Sequence, residues 1–462
     1  MIGCSRVNRV PLLTPGNCLF LIAILAVLHL TAIIASAVNL PFMDEWEMLR
    51  IGALGDKLDW AWVFRPHNEH RIVFTKILTW LMLKLTAWHH IAMLVLNFGL
   101  YLLSLLAFVS VLQKANCPTT GAGPSVWAAL GLSALSWENH SWGFQSQFHF
   151  FLLFYFAALL LVIRGGRWAW LAGPLAVASA FSFSSGILCA AAVAGLMTAR
   201  CALGYSRWRS VLPQVALIAL GITLWMSGFE KNPGHPAFIW PWDGPVFWAH
   251  FLTMIGTGWA LPSQARIPMV SLVLTFIIVH YIMIFFGNFR KNRTEIAKSI
   301  RESLLTLAFC AAGLLATGAV TSLARGEMGV QQAESSRYTE FTYFLLPLVW
   351  VSFSLTPLGS GAGLARFLNR RQATILKWGC GILIVAAFAP WFSFGRAYKW
   401  HKKEMTAGRA CVAQFYAGEP HGGANCPTIY IAPLDEQLQR ARELNLAFPA
   451  EYRINSTSSS DH

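Results

Sequence analysis

The chain alternates long apolar runs with short polar segments, and this alternation sets its architecture. Most of the runs approach the roughly 20 residues that a membrane-spanning helix needs. They cover residues 18–38, 91–111, 124–137, 148–163, 168–184, 186–199, 211–228, 266–287, 303–323, 341–357 and 374–394. The pattern predicts an all-α polytopic membrane protein with about eleven transmembrane helices, the first of them retained and not cleaved as a signal peptide.

Composition supports a membrane as the solvent of this chain. Hydrophobic residues make up 56% of the sequence and charged residues only 12%, and the mean hydropathy is +0.51. A water-soluble protein of this length needs a larger polar surface to stay in solution.

The basic residues concentrate in one set of connecting segments, which predicts the orientation of the helices. Assigning these segments to the cytoplasm places 17 Lys and Arg but only two acids there, and leaves 19 of the 21 acids outside. The segments are 1–17, 112–123, 164–167, 200–209, 288–302 and 358–377. By the positive-inside rule the N-terminus is then cytoplasmic and the C-terminus lies outside a bacterial inner membrane. The same bias accounts for the net charge of +14, so the charge gives no support to nucleic-acid binding.

The first outer loop, residues 39–71, is the richest in polar residues and begins with an acidic pair. Asp44 and Glu45 are adjacent, so their side chains are expected to point in different directions. A carboxylate held partly desolvated at a membrane face suits a general base for a hydroxyl group. The alternative is that the pair only ends the first helix in water.

A second cluster in this loop contains His67, His70 and Arg71, and an interfacial helix is predicted directly after it, over 72–86. Cationic and hydrogen-bonding groups of this kind suit a phosphate. A metal site is the competing interpretation, but the histidines are not four apart as in a zinc helix motif. A third interpretation is that these side chains only snorkel to the membrane interface. The sequence defines no cofactor and leaves a divalent metal open.

The second outer loop runs from Trp137 to Gln147 and holds an unusual density of polar residues. An interfacial tryptophan belt explains its two tryptophans. Glu138, His140 and Gln145 need a hydrated cavity if they lie at membrane depth. We therefore expect this loop to form a wall of the site, with Glu138 as a second carboxylate.

The third and fourth outer loops differ in what they suggest. The third, 229–265, is rich in Trp and Pro like any interfacial loop, and no residue in it is assigned a role. The fourth, 324–340, places Arg325 and the Arg337-Tyr338 pair at helix ends on the acidic side of the membrane. An arginine there needs an anionic partner, either lipid phosphate or the phosphate of a polyprenyl donor.

The C-terminal residues 396–462 are expected to form a small exported segment that follows a transmembrane domain over 1–395. Cys411 and Cys426 lie in this segment, where an oxidising compartment would permit a disulfide. The other seven cysteines are scattered singly, without metal-ligand spacing. A helix is expected from Pro433 to Leu446.

Taken together, these residues resemble the GT-C glycosyltransferases, such as the protein O-mannosyltransferases and the lipid A aminoarabinose transferase. The resemblance rests on residues 39–112: an acidic pair after the first helix, a basic and histidine-containing cluster, an interfacial helix and a second apolar run. It extends to the eleven-helix layout with a large first outer loop that carries interfacial helices. The Trp137–Trp142 loop and the Ser335–Tyr338 segment depart from better-known members.

The resemblance implies sugar transfer from a polyprenyl-phosphate donor to a glycan, lipid or protein acceptor at the outer face of the membrane. It implies Asp44 as the catalytic base, with Glu45 as the alternate. The residues implied to bind the lipid-linked phosphate are His67, His70, Arg71, Arg325 and Arg337. Polyprenyl phosphate is a good leaving group, so cations suffice to stabilise it and no general acid is required.

Two rival classes remain at this point. A flippase or transporter of lipid-linked sugars, or an O-antigen polymerase or ligase, would also be polytopic. A flippase should carry polar residues in the middle of its helices. Here few polar residues, such as Asn97 and His280, interrupt the apolar runs. An assembly subunit would have no need for polar residues that are distant in sequence to converge in space.

Overall fold

The computed structural model describes residues 15–115, 131–288, 295–355, 395–417 and 425–449. Within these ranges the chain is helical and contains no strand, which confirms the all-α class. The α-helices of the first half are α1 Pro15–Ser36, α2 Trp60–Phe64, α3 Val73–Thr86, α4 His90–Ala115, α5 Trp137–Ser141, α6 Ser146–Arg164, α7 Ala172–Ala180 and α8 Gly186–Ala202. Those of the second half are α9 Trp208–Met226, α10 Pro245–Gly258, α11 Ser263–Asn288, α12 Glu295–Arg325, α13 Val330–Ala333, α14 Thr339–Tyr343, α15 Leu345–Leu355, α16 over 395–417 and α17 Asp435–Glu443.

Short 3₁₀ helices form the connections, because several polar segments turn too tightly for a full α-turn. They are Met43–Leu49, Ala134–Ser136, Gly143–Gln145, Gly166–Leu171, Gly326–Met328 and Ser336–Tyr338.

Fewer helices are long and apolar enough to cross a membrane than the sequence pattern predicts. Within the described ranges there are four, His90–Ala115, Gly143–Arg164, Trp208–Met226 and Ser299–Met328, or five if one bent pair counts as a single span. The runs 168–184 and 186–199 become α7 and α8, of nine and 17 residues, which are short for a crossing. The run 374–394 and half of 124–137, residues 124–130, lie outside the described residues. Eleven crossings therefore stay a prediction.

The bent pair corrects the interpretation of the third outer loop. Residues 229–265 were expected to be a loop, yet they contain α10, which meets α11 at an angle of 98°. Its 14 residues are fewer than a membrane span needs, so the hydropathy pattern did not distinguish it from the loop around it. Pro245 occupies its first position, where a proline costs no hydrogen bond.

Two hydrophobic cores hold the molecule together. The larger one lies among the long helices, where the Phe108 ring of α4 packs against Phe156 of α6 and Phe344, with centroids 4.9 and 4.6 Å away. The smaller one joins the first outer loop to α3 and the C-terminal segment. In it Trp46 is fully buried and its ring lies 5.6 Å from Phe448.

The C-terminal segment is therefore packed directly on the first outer loop. A disulfide joins Cys411 and Cys426, the pair expected from the sequence, with Cα atoms 6.0 Å apart. Three residues beyond Cys426, the Ile429 carbonyl accepts a hydrogen bond from Met43 N–H at 2.7 Å. The hydroxyl of Tyr430 also donates a hydrogen bond to the carboxylate of Glu47. These contacts fix the 3₁₀ helix Met43–Leu49 from outside the helix bundle.

Helix α3 occupies the position of the predicted interfacial helix. One face is buried and carries Lys76, whose Nζ donates to the carbonyls of Trp62 at 2.8 Å and Arg65 at 2.6 Å. The opposite face exposes Leu81 and Leu85. Burial lowers the pKa of Lys76 to about 7, with Arg65 contributing in the same direction. Lys76 thus holds the Trp62–Arg65 part of the first outer loop through two hydrogen bonds, and its ammonium group does not reach the surface.

Candidate functional site

A cavity of about 370 Å³ opens where four polar segments and three helix ends meet. Most of its lining is apolar or aromatic, as in most small-molecule sites. Its polar and charged residues are Asp44, His67, Asn68, Glu69, His70, Gln145, Gln147, Ser184, Ser185, Lys231, His235, Thr321, Arg325, Arg337 and Tyr338. Residues far apart in sequence thus share one space, which is the convergence that a mere assembly subunit would not require.

Asp44 is the first of these groups and belongs to the 3₁₀ helix Met43–Leu49. Burial raises the pKa of its carboxyl group, while Arg337 and Arg325 act in the opposite direction. Among the described residues, no hydrogen bond or ion pair engages this carboxylate. The preceding residue, Met43, has a φ of +46°, a conformation that non-glycine residues adopt at some cost and that clusters at functional sites.

Glu45, the alternate base, points elsewhere. Its side chain is buried, accepts a hydrogen bond from Phe42 N–H at 3.0 Å and lies 3.5 Å from Nδ1 of His90. It does not line the cavity. The geometry therefore separates the acidic pair into a structural carboxylate at Glu45 and an available one at Asp44.

Three cations line the same cavity as Asp44. The guanidinium of Arg337 lies over the Trp142 ring, 5.7 Å from its centroid, and its Nε donates to Ser335 Oγ at 3.1 Å. Within the described part of the chain, Arg325 has neither a hydrogen bond nor an ion pair. Lys231 sits 4.8 Å from the centroid of Phe238. The cavity therefore offers cationic groups that no carboxylate in the described part of the chain neutralises through a direct contact.

Glu138, expected to be a second catalytic carboxylate, holds the segment that carries Arg337. Its Oε2 accepts hydrogen bonds from Ser335 Oγ at 2.9 Å, Ser336 Oγ at 2.7 Å and Arg337 N–H at 3.1 Å. It is not among the residues that line the cavity. With three donors already bound, Glu138 positions the arginine, and its catalytic role stays a prediction that these contacts do not favour.

His67 and His70 face the cavity from a tight turn. Their main chains form an antiparallel bridge, His67 N–H to His70 O at 2.7 Å and the reverse at 2.9 Å, with Asn68 between them at a φ of +50°. His70 Nδ1 lies 2.7 Å from Ser184 Oγ, and its ring stacks on Phe183. Burial lowers the pKa of His67 to about 4 and that of His70 to about 3. Both rings are neutral at pH 7, so they can form hydrogen bonds but supply no positive charge to a phosphate.

Arg71 lies outside the cavity lining and serves the fold. It donates to three main-chain carbonyls, Phe64 at 2.8 Å, Trp225 at 3.1 Å and Ser227 at 2.5 Å. These bonds tie the first outer loop to the end of α9. The position does not support the phosphate-binding role expected from the sequence, because three of the five guanidinium N–H groups already donate to the main chain and Arg71 does not line the cavity.

His140 belongs to a different polar cluster, inside the helix bundle. It is fully buried, bonds through Nε2 to Ser136 Oγ at 3.1 Å and stacks on His149. His149 in turn lies 2.6 Å from Asn97 Oδ1 and 3.1 Å from Glu340 Oε2. The bundle interior is therefore more polar than the hydropathy pattern indicates, but these side chains bond to one another and do not line the cavity.

Gln145 and Tyr338 line the cavity, as do several residues for which the sequence pattern predicts no role. His235 is one of them and pairs through Nδ1 with the carboxylate of Glu69. Lys231 and His235 come from the third outer loop, where they flank the sequence Asn-Pro-Gly. That flanking position is the only feature of the sequence that could have drawn attention to them. Among the described residues, no three His, Cys, Asp or Glu side chains converge to hold a metal ion.

Comparison with known proteins adds no relative to this picture. No protein-family model matches the chain, and neither a curated protein nor a solved structure matches it. The described residues thus define the protein by their fold and their site. The fold is all-helical, with four or five helices in the described ranges able to cross a membrane, and the site is a cavity where the Asp44 carboxylate, unpaired within those ranges, lies with three cations.

Proposed function

We propose that the protein is an integral-membrane glycosyltransferase of the GT-C type. It transfers a sugar from a polyprenyl-phosphate donor to a glycan, lipid or protein acceptor on the outer side of a bacterial inner membrane. The observation that carries the proposal is the shared cavity of Asp44, Arg325 and Arg337, which brings a carboxylate without a partner among the described residues together with cations from a distant part of the sequence.

The chemistry divides between these two kinds of group. The Asp44 carboxylate accepts the proton of the acceptor hydroxyl as that oxygen attacks the anomeric carbon. The bond between the anomeric carbon and the phosphate oxygen breaks, and its electron pair stays on the phosphate. Arg325, Arg337 and Lys231 stabilise this growing negative charge in a partly desolvated space, where each cation acts more strongly than in water.

The test is a transfer assay with polyprenyl-phosphate sugars in sealed vesicles that contain the full chain. Wild-type protein should transfer sugar, and Asp44→Asn should not. Asp56→Asn is the matched control, because Asp56 lies in the same outer loop but is exposed and outside the cavity. Turnover that survives in a folded Asp44→Asn variant would remove Asp44 as the base.

A further inference from the structure

One wall of the cavity is built from uncharged polar and aromatic side chains. Phe144, Gln145, Gln147 and Phe148 come from the start of α6 and the 3₁₀ helix before it, and His67 faces them from the first outer loop. The His67 ring packs 5.0 Å from that of Phe144. Flat aromatic surfaces beside a few fixed hydrogen-bonding groups are typical of a wall that receives a small ring-shaped ligand.

Two atoms of this wall are buried without a hydrogen-bond partner among the described residues. They are Oε1 of Gln147 and Nε2 of His67. The Gln147 side chain is only 4% exposed, and its amide nitrogen reaches Gln145 Oε1 only at 3.5 Å. Buried polar atoms in proteins are nearly always bonded, so two orphaned atoms at one cavity wall indicate that a molecule other than the protein completes them.

Both orphaned atoms are uncharged, and this decides the chemistry of the molecule they would bind. The Gln147 amide oxygen only accepts, while the neutral imidazole of His67 can accept or donate through Nε2 according to its tautomer. A phosphate would offer no proton to the amide oxygen. A hydroxyl group satisfies either atom.

We infer that His67 and Gln147 form a subsite for an uncharged sugar ring, with Gln147 Oε1 accepting from one hydroxyl and His67 Nε2 bonding a second. The ring's C–H face packs on Phe144 and Phe148. This moves His67 from the phosphate-binding set to the sugar-binding set. The inference rests on the proposed function in one respect, which is that the ligand of the cavity is a sugar.

The subsite predicts selectivity among sugars according to their hydroxyl groups, which the cations of the cavity cannot provide. A site built to bond a hydroxyl discriminates strongly against an analogue that lacks it, because the analogue leaves a buried polar atom unpaired. Sugars that lack the bonded hydroxyl should therefore bind more weakly.

The experiment measures binding of methyl glycosides by saturation-transfer NMR, with the full chain in lipid nanodiscs. Nanodiscs replace maltoside detergents, whose glucose rings would compete for the subsite. The probes are the methyl glycosides of glucose, mannose, galactose and arabinose, each with its monodeoxy analogues. Wild-type protein should bind at least one of them, and its affinity should fall about tenfold in Gln147→Leu.

A matched control comes from the C-terminal helix. Gln437 is also 4% exposed with an unpartnered Oε1, but it lies away from the cavity. Gln437→Leu should leave glycoside affinity unchanged, which separates the loss of a subsite from the general cost of replacing a buried amide. A second pair of variants tests His67. His67→Phe keeps an aromatic ring against Phe144 but removes Nε2. If His67→Phe fails to fold, His67→Asn replaces it, because asparagine keeps a polar side chain at this position.

The outcomes distinguish this inference from the proposed function. If no methyl glycoside binds to wild-type protein, or if Gln147→Leu and the folded His67 variant bind as well as wild type, the subsite does not exist. If binding depends on Gln147 while the vesicle assay shows no sugar transfer, the subsite stands and the glycosyltransferase proposal fails. Loss of affinity in Gln147→Leu but not in Gln437→Leu supports the inference.

Discussion

The carboxylates of Asp44 and Glu138 come from two outer loops that look equally suited to catalysis in the sequence, and the structure places them in opposite situations. Asp44 is half-buried at the cavity and has no hydrogen-bond partner among the described residues. Glu138 accepts three hydrogen bonds from the segment around Arg337. A carboxylate whose acceptor sites are filled by the protein stabilises the fold, whereas one left without a donor is available to a ligand.

The largest effect on sugar transfer is expected from a substitution of Asp44, the carboxylate without a partner among the described residues. Asp44→Asn should lower sugar transfer roughly 10²–10⁴-fold, the range that general-base catalysis contributes. Its free energy of unfolding should stay the same or rise, because the substitution removes an unpaired buried charge. Transfer rates and thermal unfolding midpoints of the same preparations check both points. A variant that is inactive because its midpoint has collapsed would contradict the assignment.

The second effect concerns the contact between the C-terminal segment and the 3₁₀ helix that carries Asp44. Replacing both Cys411 and Cys426 by Ser removes a cross-link between residues 15 positions apart, which corresponds to about 3 kcal/mol in the chain-entropy treatment. The thermal midpoint should fall, and sugar transfer should fall with it because the Ile429 carbonyl holds Met43. Dithiothreitol should lower the midpoint of wild-type protein but not that of the double variant; an equal response in both would rule out the disulfide as the cause.

A smaller loss is expected at Glu138. Glu138→Gln removes the charge that three donors share, at a cost of about 1–3 kcal/mol in the free energy of unfolding. Sugar transfer should fall only as far as Arg337 loses its position. Glu334→Gln is the control, because Glu334 is exposed and forms a surface ion pair with Arg266, which contributes about 0–1 kcal/mol. If the two variants unfolded alike, Glu138 would not hold the Arg337 segment.

The smallest effect is a displacement along the pH axis. Burial raises the pKa of Asp44 and Arg337 opposes this, so sugar transfer should fall as the pH is lowered through a pKa above the ordinary aspartate value. Removing the guanidinium in Arg337→Gln should move this acidic limb to higher pH, because the largest influence opposing desolvation is lost and Arg325 then opposes it with less help. The pH profile of transfer rates for both proteins measures it. A limb that stays in place or moves to lower pH would show that Arg337 does not act on Asp44.

Local features of the molecule were accessible from the sequence because they depend on neighbouring residues. The helix over 72–86 follows from its amphipathic pattern, and the Cys411–Cys426 pair follows from its compartment and spacing. The different orientations of Asp44 and Glu45 follow from their adjacency.

The partners of each polar group were not accessible, since they depend on packing between distant segments. Glu138 was expected to be a second catalytic carboxylate because its partners Ser335, Ser336 and Arg337 are almost 200 positions away in the sequence. Lys231 was overlooked in a loop whose composition is ordinary for an interface. The helix Pro245–Gly258 was missed because its apolar run is shorter than the length by which spans are recognised.

The hydrogen bond from Met43 to Ile429 has a consequence for when the protein becomes active during its own synthesis. The residue before Asp44 is held by a carbonyl near the other end of the chain, so the two can meet only after almost every helix has been made. A growing chain then carries its reactive carboxylate for most of its synthesis without the contact that fixes it. Under the proposed function, sugar transfer then requires synthesis to extend past residue 429, and a polypeptide that stops before residue 425 should retain Asp44 but lack the hydrogen bond that holds Met43.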